Sequence, residues 1–482
     1  MADTVSKHID MTTGSLWRNV PLFAFPVAAT SILEQLSNLI ATVIIGNFSG
    51  DQGTLAMAAV GSNVPLTSLM LNLFIGMSLG SNVVIANAIG RNDQNMVKRA
   101  VHTSILMALV GFVVIALGEI FAEPMLAALN VPAETMPLAS LYLRVFLLSM
   151  PSILLYNFEA AIFRSVGITR MPLQALAVST VLNIGLDLIF VPVLHWGVAG
   201  AAIATVAAQL ISTLGCFLYA FLKYPELRLH REDWRITRRD VTRHLIQGIP
   251  LGLQFSVLAI GIIVMQSVIV QFDTLGGEMV SNAAQNGFGA ASKMTHFLMA
   301  LYSGLGSAIL GYNGQNYGKK EYERVRRGTL QTFVIMLFVY LFCLVAGLSL
   351  SIGGAYQYIF MSADKISDAS VRFGNTFVYV DVILYFILGF LFVARSAVQG
   401  ICRPMYVLGA GFAELAARVL ICAYLPAIVN GAPIDSSASA LAFAAVCLGD
   451  PGAWLAACIV LAYPTVRYII RIKYNDPKEI GN

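Results

Sequence analysis

The sequence predicts an all-α polytopic membrane protein, with twelve transmembrane helices in two pseudo-symmetric six-helix bundles. Three observations predict it: an apolar composition, an alternation of basic loops, and an internal repeat. Of 482 residues, 57% are hydrophobic and only 12% are charged, and the mean hydropathy is +0.75. Soluble domains carry about 25% charged residues, so a water-soluble enzyme is excluded. Disorder needs low hydrophobicity and high net charge. Forty glycines without a three-residue period exclude collagen. A net charge of +4 with scattered basic residues gives no nucleic-acid footprint.

Helices of about 20 apolar residues cross a ~30 Å hydrocarbon layer. Such segments lie at about 19–46, 56–86, 100–122, 136–160, 171–194 and 198–222 in the first half. The second half has 244–272, 281–311, 329–352, 374–394, 405–428 and 453–472. With the N-terminus inside, the inner segments hold 25 of the 30 Lys and Arg residues. Only Lys365 and Arg372 fall in an outer loop, while Arg144, Lys293 and Arg418 lie within spans. Basic residues gather on the cytoplasmic side, so the alternation supports twelve spans with both termini cytoplasmic. A plasma (inner) membrane location is expected. Residues 1–18 have no short apolar stretch ending in small residues, so no cleavable signal is expected. The six cysteines form no CxxC pair and are read as buried small hydrophobes.

The predicted domains are an N-lobe at 1–222, a cytoplasmic linker at 223–243, and a C-lobe at 244–482 with an outer insert at about 429–452. Within the insert, 436–449 is apolar but too short to cross, and is read as an interfacial or re-entrant piece ended by Asp450-Pro451-Gly452. The halves repeat each other. Gly76, Gly90 and Arg99 recur as Gly304, Gly318 and Arg327; Pro26 is matched by Pro250, and Gly167-Ile-Thr-Arg170 by Gly400-Ile-Cys-Arg403. Six spans per repeat keep the same orientation, which predicts a pseudo-twofold axis along the membrane normal.

Ionisable groups within spans cost roughly 2.5–3.5 kcal/mol each at mid-helix on the insertion scale, so each needs a reason. Asn183 and Asp187 are four apart and share a face of the fifth span. A carboxylate with an amide one turn away can hold a cation or a proton, and Thr205 on the next span could add a hydroxyl oxygen. Asp381 in the tenth span is flanked by Phe377 and Tyr385 and is expected to pair with Lys293 of the eighth. Glu414 and Arg418 form an i,i+4 acid–base pair read as structural. Pro26 falls inside the first span, where proline permits a bend.

Several strings resemble the multidrug and toxic compound extrusion (MATE) family. They are GNFSG with TLAMAAVGSN, then GMSLGSNVVIANAIGRND, and the run from Asn157 through Arg164 to Gly167. Asn183-Ile-Gly-Leu-Asp187, Trp196 to Thr205, and Glu414-Leu-Ala-Ala-Arg418 complete the set. The match runs from about residue 15 to 472, and the DinF-like branch is the nearer one. The resemblance implies a secondary efflux carrier driven by Na⁺ or H⁺ that exports amphipathic, often cationic compounds. It places Asp187, Asn183 and Thr205 in an N-lobe cation site, Asn157 in the substrate cavity, and a bend at Pro26. The chain departs from the branch in its first span, which reads Asn38-Leu-Ile-Ala41-Thr42 where an aspartate is expected in place of Ala41. Glu34, seven residues earlier, is on the same face and ~10.5 Å nearer the inner side, and is expected to take over the acidic role. Asn38 joins Glu34 in the cation-coupling set, and Thr42 extends the polar stripe toward the substrate cavity. The seventh span has Gln254 and Gln266 but no acid, against a full C-lobe cation site.

The expected function is therefore a multidrug antiporter working by alternating access, not an enzyme. Its expected partners are small-molecule substrates and the lipid bilayer, without nucleic acid. No cofactor is expected, no metal beyond Na⁺ as a coupling ion, and the chain is expected to act as a monomer. The alternative is a lipid-linked oligosaccharide flippase of the same superfamily, which would need a cationic cavity built from Lys293, Arg144 and Arg418. A membrane-embedded transferase is disfavoured because no DxD or HxxxD string occurs, and a major-facilitator carrier because its loop signature does not match IGRNDQNMVKR.

Overall fold

The computed structural model describes residues 9, 11–48, 53–128, 131–223, 230–234, 236–362 and 365–471. In the first half they form α1 (Leu16–Phe48), α2 (Gly53–Gly90), α3 (Gln94–Ala108), α4 (Val110–Ala128), α5 (Met136–Leu147), α6 (Met150–Ser165), α7 (Arg170–Phe190) and α8 (Gly197–Lys223). A long helix, α9 (Arg238–Gln271), is followed by a short hairpin of β1 (Thr274–Leu275) and β2 (Glu278–Met279). Then come α10 (Ala283–Gly318), α11 (Tyr322–Ser351), α12 (Gln357–Phe360), α13 (Asp368–Ile383), α14 (Tyr385–Gly400), α15 (Pro404–Asn430), α16 (Ala440–Cys447) and α17 (Gly449–Thr465).

Among the described residues, ten helical segments are long and apolar enough to cross a membrane, and two bent pairs bring the number to twelve. The pairs are α5 with α6, bent by 44°, and α13 with α14, bent by 52°. These are the fourth span of each half. The hydrophobic surface left exposed, such as Phe112, Val181, Phe338 and Ile459, is what a lipid-facing helix presents.

The internal repeat extends to backbone detail. α2 ends at Gly90, and Asn92 takes a left-handed φ of 56° before Asp93 caps α3. At the matching positions α10 ends at Gly318, Lys320 has a φ of 65°, and Glu321 precedes α11. The closing hydrogen bonds also match: Asp93 N to Ala88 O and Glu321 N to Asn316 O. The second string match is out of register. The left-handed residue after α6 is Gly167, but after α14 it is Cys402, not Gly400. Bonds from Ile168 N to Phe163 O and Arg403 N to Val398 O confirm that alignment. Two residues of slippage arise because the helix-ending turn, not the glycine, is what the repeat preserves.

The chain folds into two compact units. The first contains 1–13 and 29–253, and the second contains 14–28 and 254–482. The boundaries differ from those expected at 222 and 244. The start of α9 belongs with the first unit and the start of α1 with the second, and each helix changes unit about one turn after its proline, at Ala29 after Pro26 and at Gln254 after Pro250. In the first unit, α9 packs backbone-to-backbone on α2. A Cβ built on Gly76 would lie 2.3 Å from Gly252 N, and one on Gly80 would lie 2.4 Å from Gly248 Cα. In the second unit, Gly304 of α10 meets α1 equally closely, with Ala24 O 2.4 Å from its would-be Cβ.

The outer end of the second unit is tied by local chemistry. Gly276 and Gly277 have φ of 60° and 90°, as a two-residue hairpin with positive φ at both central positions requires. Asp273, fully buried, accepts from the first backbone amides of α10, Ala284 N at 3.0 Å and Gln285 N at 2.9 Å. Ser436 N of the outer insert bonds Thr274 O at 2.8 Å. The insert departs from expectation. Its apolar piece forms α16, buried against α15 and α13, and Asp450-Pro451-Gly452 starts α17 instead of ending a helix. Proline is tolerated there because first-turn amides need no intrahelical partner.

Candidate functional site

In the first unit, Asp187 and Asn183 share the face of α7 that meets α8. Asp187 is 1% exposed and neither carboxylate oxygen has a hydrogen-bond partner. Asn183 Nδ2 donates to Thr205 Oγ1 at 3.4 Å, and Thr205 donates to Ala201 O at 3.1 Å. Tyr142 of α5, which the sequence reading missed, interacts electrostatically with Asp187. Ile40 and Ile44 of α1 pack with Val191, Ala201, Tyr142 and Ile184 beside this group. Ala41 is half-buried next to them and offers only a methyl. The arrangement is an acid, an amide and a hydroxyl shielded by aliphatic side chains. A buried carboxylate without a partner is costly unless a cation or a proton neutralises it.

Glu34 does not join that group. Its electrostatic partners are Arg164 and Tyr156 of α6, not Asp187. Asn38 is exposed, and the Thr42 side chain lies outside the described residues. Asn157 is half-buried and donates within its own helix, to Ile153 O at 2.9 Å. Pro26 is buried, and α1 runs through it without interruption.

In the second unit the expected Asp381–Lys293 pair is not formed. Lys293 is exposed and has no ion pair among the described residues. Asp381, 2% exposed, stands in the field of Asp450 and Arg418. The bend between α13 and α14 follows Asp381 by one turn, and Tyr385 beyond it donates to Thr295 O at 3.2 Å. Tyr385 is also ringed by Tyr302 and Trp454, with centroids at 5.9 Å and 5.8 Å.

Glu414 and Arg418 do pair, at 3.6 Å, but each has a closer partner. Arg395 Nη2 donates to Glu414 Oε2 at 2.6 Å, and Arg418 Nη2 to Asp450 Oδ1 at 2.7 Å. The result is a buried chain of alternating charge, Arg395–Glu414–Arg418–Asp450. Arg395, one residue beyond the expected tenth span, is buried within α14. Gln254, fully buried on α9 with both amide atoms unpartnered, is pressed against Gly411 in the same unit. An open apolar groove of 880 Å³ lies where α9 and α15 end, lined by Val264, Gln271, Tyr424 and Ile428 among others, and none of the expected site residues line it.

Comparisons with known proteins agree with this architecture. The MatE family pattern matches residues 26–189 and 257–425. A probable multidrug resistance protein of Bacillus subtilis, YpnP, is 28% identical over 324 residues, covering 66% of this chain and 69% of its own. An FAD transporter of Shewanella oneidensis is 22% identical over 431 residues, covering 85% of this chain and 90% of its own. Among solved structures, a MOP superfamily transporter from Pyrococcus furiosus, described as having a binding pocket of reverse polarity that suggests a different function, matches with a TM-score of 0.83. It is 20% identical, with coverage of 97% of this chain and 99% of that one. An outward-facing multidrug resistance MATE transporter matches with a TM-score of 0.82 at 19% identity, over 96% and 98% of the two chains. With two thirds of its length matched by the family pattern and its twelve spans arranged as two six-span repeats, the chain belongs to the MATE family of membrane transporters.

Proposed function

We propose that this transporter is an antiporter that exports amphipathic, often cationic drugs or toxic metabolites in exchange for H⁺ or Na⁺, with Asp187 as its coupling acid. One observation carries the reading: both Asp187 oxygens are buried and unpartnered beside the Asn183–Thr205 pair. Either a proton or a Na⁺ held by Asp187, Asn183 and Thr205 oxygens would neutralise the carboxylate. Its loss would restore a buried charge whose cost favours the other conformation. Each charge moving through 100 mV supplies ~2.3 kcal/mol, enough for a concentration ratio of roughly fifty. Tyr142 joins the site, Pro26 acts as the hinge of α1, and the termini face the cytoplasm.

The flippase alternative gains less support. Of the three bases it would use, Arg144 is engaged by Glu119 and Glu123, and Arg418 by Asp450 and Glu414. The test is ethidium efflux from proteoliposomes under an imposed pH gradient or Na⁺ gradient separately. Wild type should pump under at least one of them, and Asp187→Asn under neither. Uphill efflux by Asp187→Asn equal to wild type would overturn the reading.

A further inference from the structure

Between α7 and α8 lies a seam that is polar over most of its length. On α8, Thr205, Gln209, Ser212, Thr213 and Cys216 follow one another at helical spacing along one face. On α7, Asp187, Asn183, Thr180 and Ser179 do the same. The two rows meet. Below the Asn183–Thr205 bond, Ser179 Oγ donates to Gln209 Oε1 at 3.4 Å, and Ser212 Oγ to Ala175 O at 2.5 Å. Thr213 Oγ1 donates to Ser152 O of α6 at 3.3 Å. Thr180 is 6% exposed with an unpartnered hydroxyl. From Thr205 to Cys216 the row descends by ~16 Å, about half of the hydrocarbon layer.

The row ends at an acid. Glu159 lies two turns beyond Ser152 on α6, is 4% exposed, and has both carboxylate oxygens unpartnered. The Cys216 thiol stands beside it. The Cys216 thiol on α8 is the titratable group paired with Glu159, and Tyr156, one turn earlier on α6, stands in the field of Glu159, Glu34 and Arg164. Among the described residues, α2, α3, α4 and α7 bring no charge to bear on Glu159. Serine and threonine alone serve as glue between membrane helices, but glue needs no acid. A buried, unpaired carboxylate is among the costliest groups a membrane helix can carry.

We propose that the α7–α8 seam is the inward path of the coupling proton and that Glu159 is its inner station. The proposal rests on the reading of Asp187 as the coupling site, and deepens it by naming the ion and its route. A hydroxyl both donates and accepts; Thr205, Ser212 and Thr213 rest with their protons on the backbone carbonyls of Ala201, Ala175 and Ser152, so the relay requires each to turn from its carbonyl toward the next station as it takes a proton on one lone pair and releases its own. In the net step the O–H bond of the Asp187 carboxyl breaks and one forms on the Glu159 carboxylate. Asp187 is left charged and Glu159 neutral, and Glu159 then gives the proton to inner water past Arg164. The route runs within one unit.

Proteoliposomes with a trapped pH dye, using ethidium as the probe, test this. Glu159→Gln should lower both pH-driven efflux and the accompanying proton flux at least about tenfold, within the range that one proton-transfer group commands. Ethidium affinity in detergent should stay unchanged. Glu159→Asp should recover much of the flux with a displaced pH profile, which a merely structural acid would not show. Thr213→Val, nearly isosteric, should slow proton flux severalfold and serves if Glu159→Gln fails to fold. Wild-type proton flux in both Glu159→Gln and Thr213→Val overturns the proposal. So does wild-type efflux driven by Na⁺ without proton movement. Both outcomes leave the Asp187 reading standing, whereas normal antiport by Asp187→Asn sinks that reading whatever Glu159 does.

Discussion

The packing of α9 on α2 makes a sharp prediction for Gly76→Ala. The added methyl carbon would lie 2.3 Å from Gly252 N, 2.4 Å from Gly252 Cα and 2.5 Å from Leu251 C. Carbon contacts settle at about 3.5–4.0 Å, so the start of α9 must move outward by more than about 1 Å. It cannot tilt freely, because Gly80 holds Gly248 at a similar distance one turn further along. No side-chain rotation relieves the clash, since the atoms met are backbone. Overpacking of this kind costs about 1–3 kcal/mol, against at most about 1 kcal/mol gained in helix propensity. Gly61, on the same helix, has nothing within 4 Å of its would-be Cβ, so Gly61→Ala keeps only the gain. Thermal unfolding in detergent reads the difference. At about 2–4 °C per kcal/mol for a unit of this size, Gly76→Ala should melt several degrees below wild type, and Gly61→Ala at or above it. A Gly76→Ala protein that melts with Gly61→Ala would refute the close-packed seam, and with it the assignment of 238–253 to the first unit.

Three further outcomes follow from particular contacts. Arg395→Met removes the 2.6 Å partner of Glu414, and should cost about 3–5 kcal/mol by leaving a buried charge uncompensated. Adding Glu414→Leu should return part of that loss in the same melting assay. Asp273→Ala deletes the acceptor of two α10 amides and should cost about 1–2 kcal/mol, with faster hydrogen exchange at Ala284 and Gln285. In the outer insert, the hydroxyl and amide of Ser437 hold the Asp435 carboxyl below its ordinary 3.8. A lowered value means that this turn is stabilised above the ordinary value and loosens as pH falls through the folded one. Ser437 amide protection, corrected for intrinsic rates, should therefore fall below about pH 3.8, and Ser437→Ala should remove the pH dependence.

The spans were legible because hydrophobic length and loop charge are local properties. A run of apolar residues long enough to cross has few other places to go, whatever its neighbours are. The repeat was legible for the same reason, and it extends to the matched left-handed residues Asn92 and Lys320. It was misread only where a string of letters stood in for a backbone turn, at Gly400 in place of Cys402. The N-lobe group was legible because Asn183 and Asp187 are one helical turn apart. Tyr142 was not, since nothing in α5 announces which helix it will face.

Charge pairing marks the line between the two kinds of knowledge. The sequence alone marked Asp187, Asp381, Lys293, Glu414 and Arg418 as ionisable groups within spans that would each need a partner or an ion, but not Arg395 or Glu159, which the fold also buries. Spacing along one helix suggested Glu414 with Arg418, and depth suggested Asp381 with Lys293. Only the folded chain decided that Glu414 turns to Arg395, that Arg418 turns to Asp450, and that Lys293 stays without an ion partner among the described residues. It also decided that the first halves of α1 and α9 belong to opposite units from the rest of their helices. These choices join residues tens or hundreds of positions apart. They are set by which helix faces can approach closely enough to exclude lipid, as at Gly76 on Gly252, and not by any property of the residues taken singly.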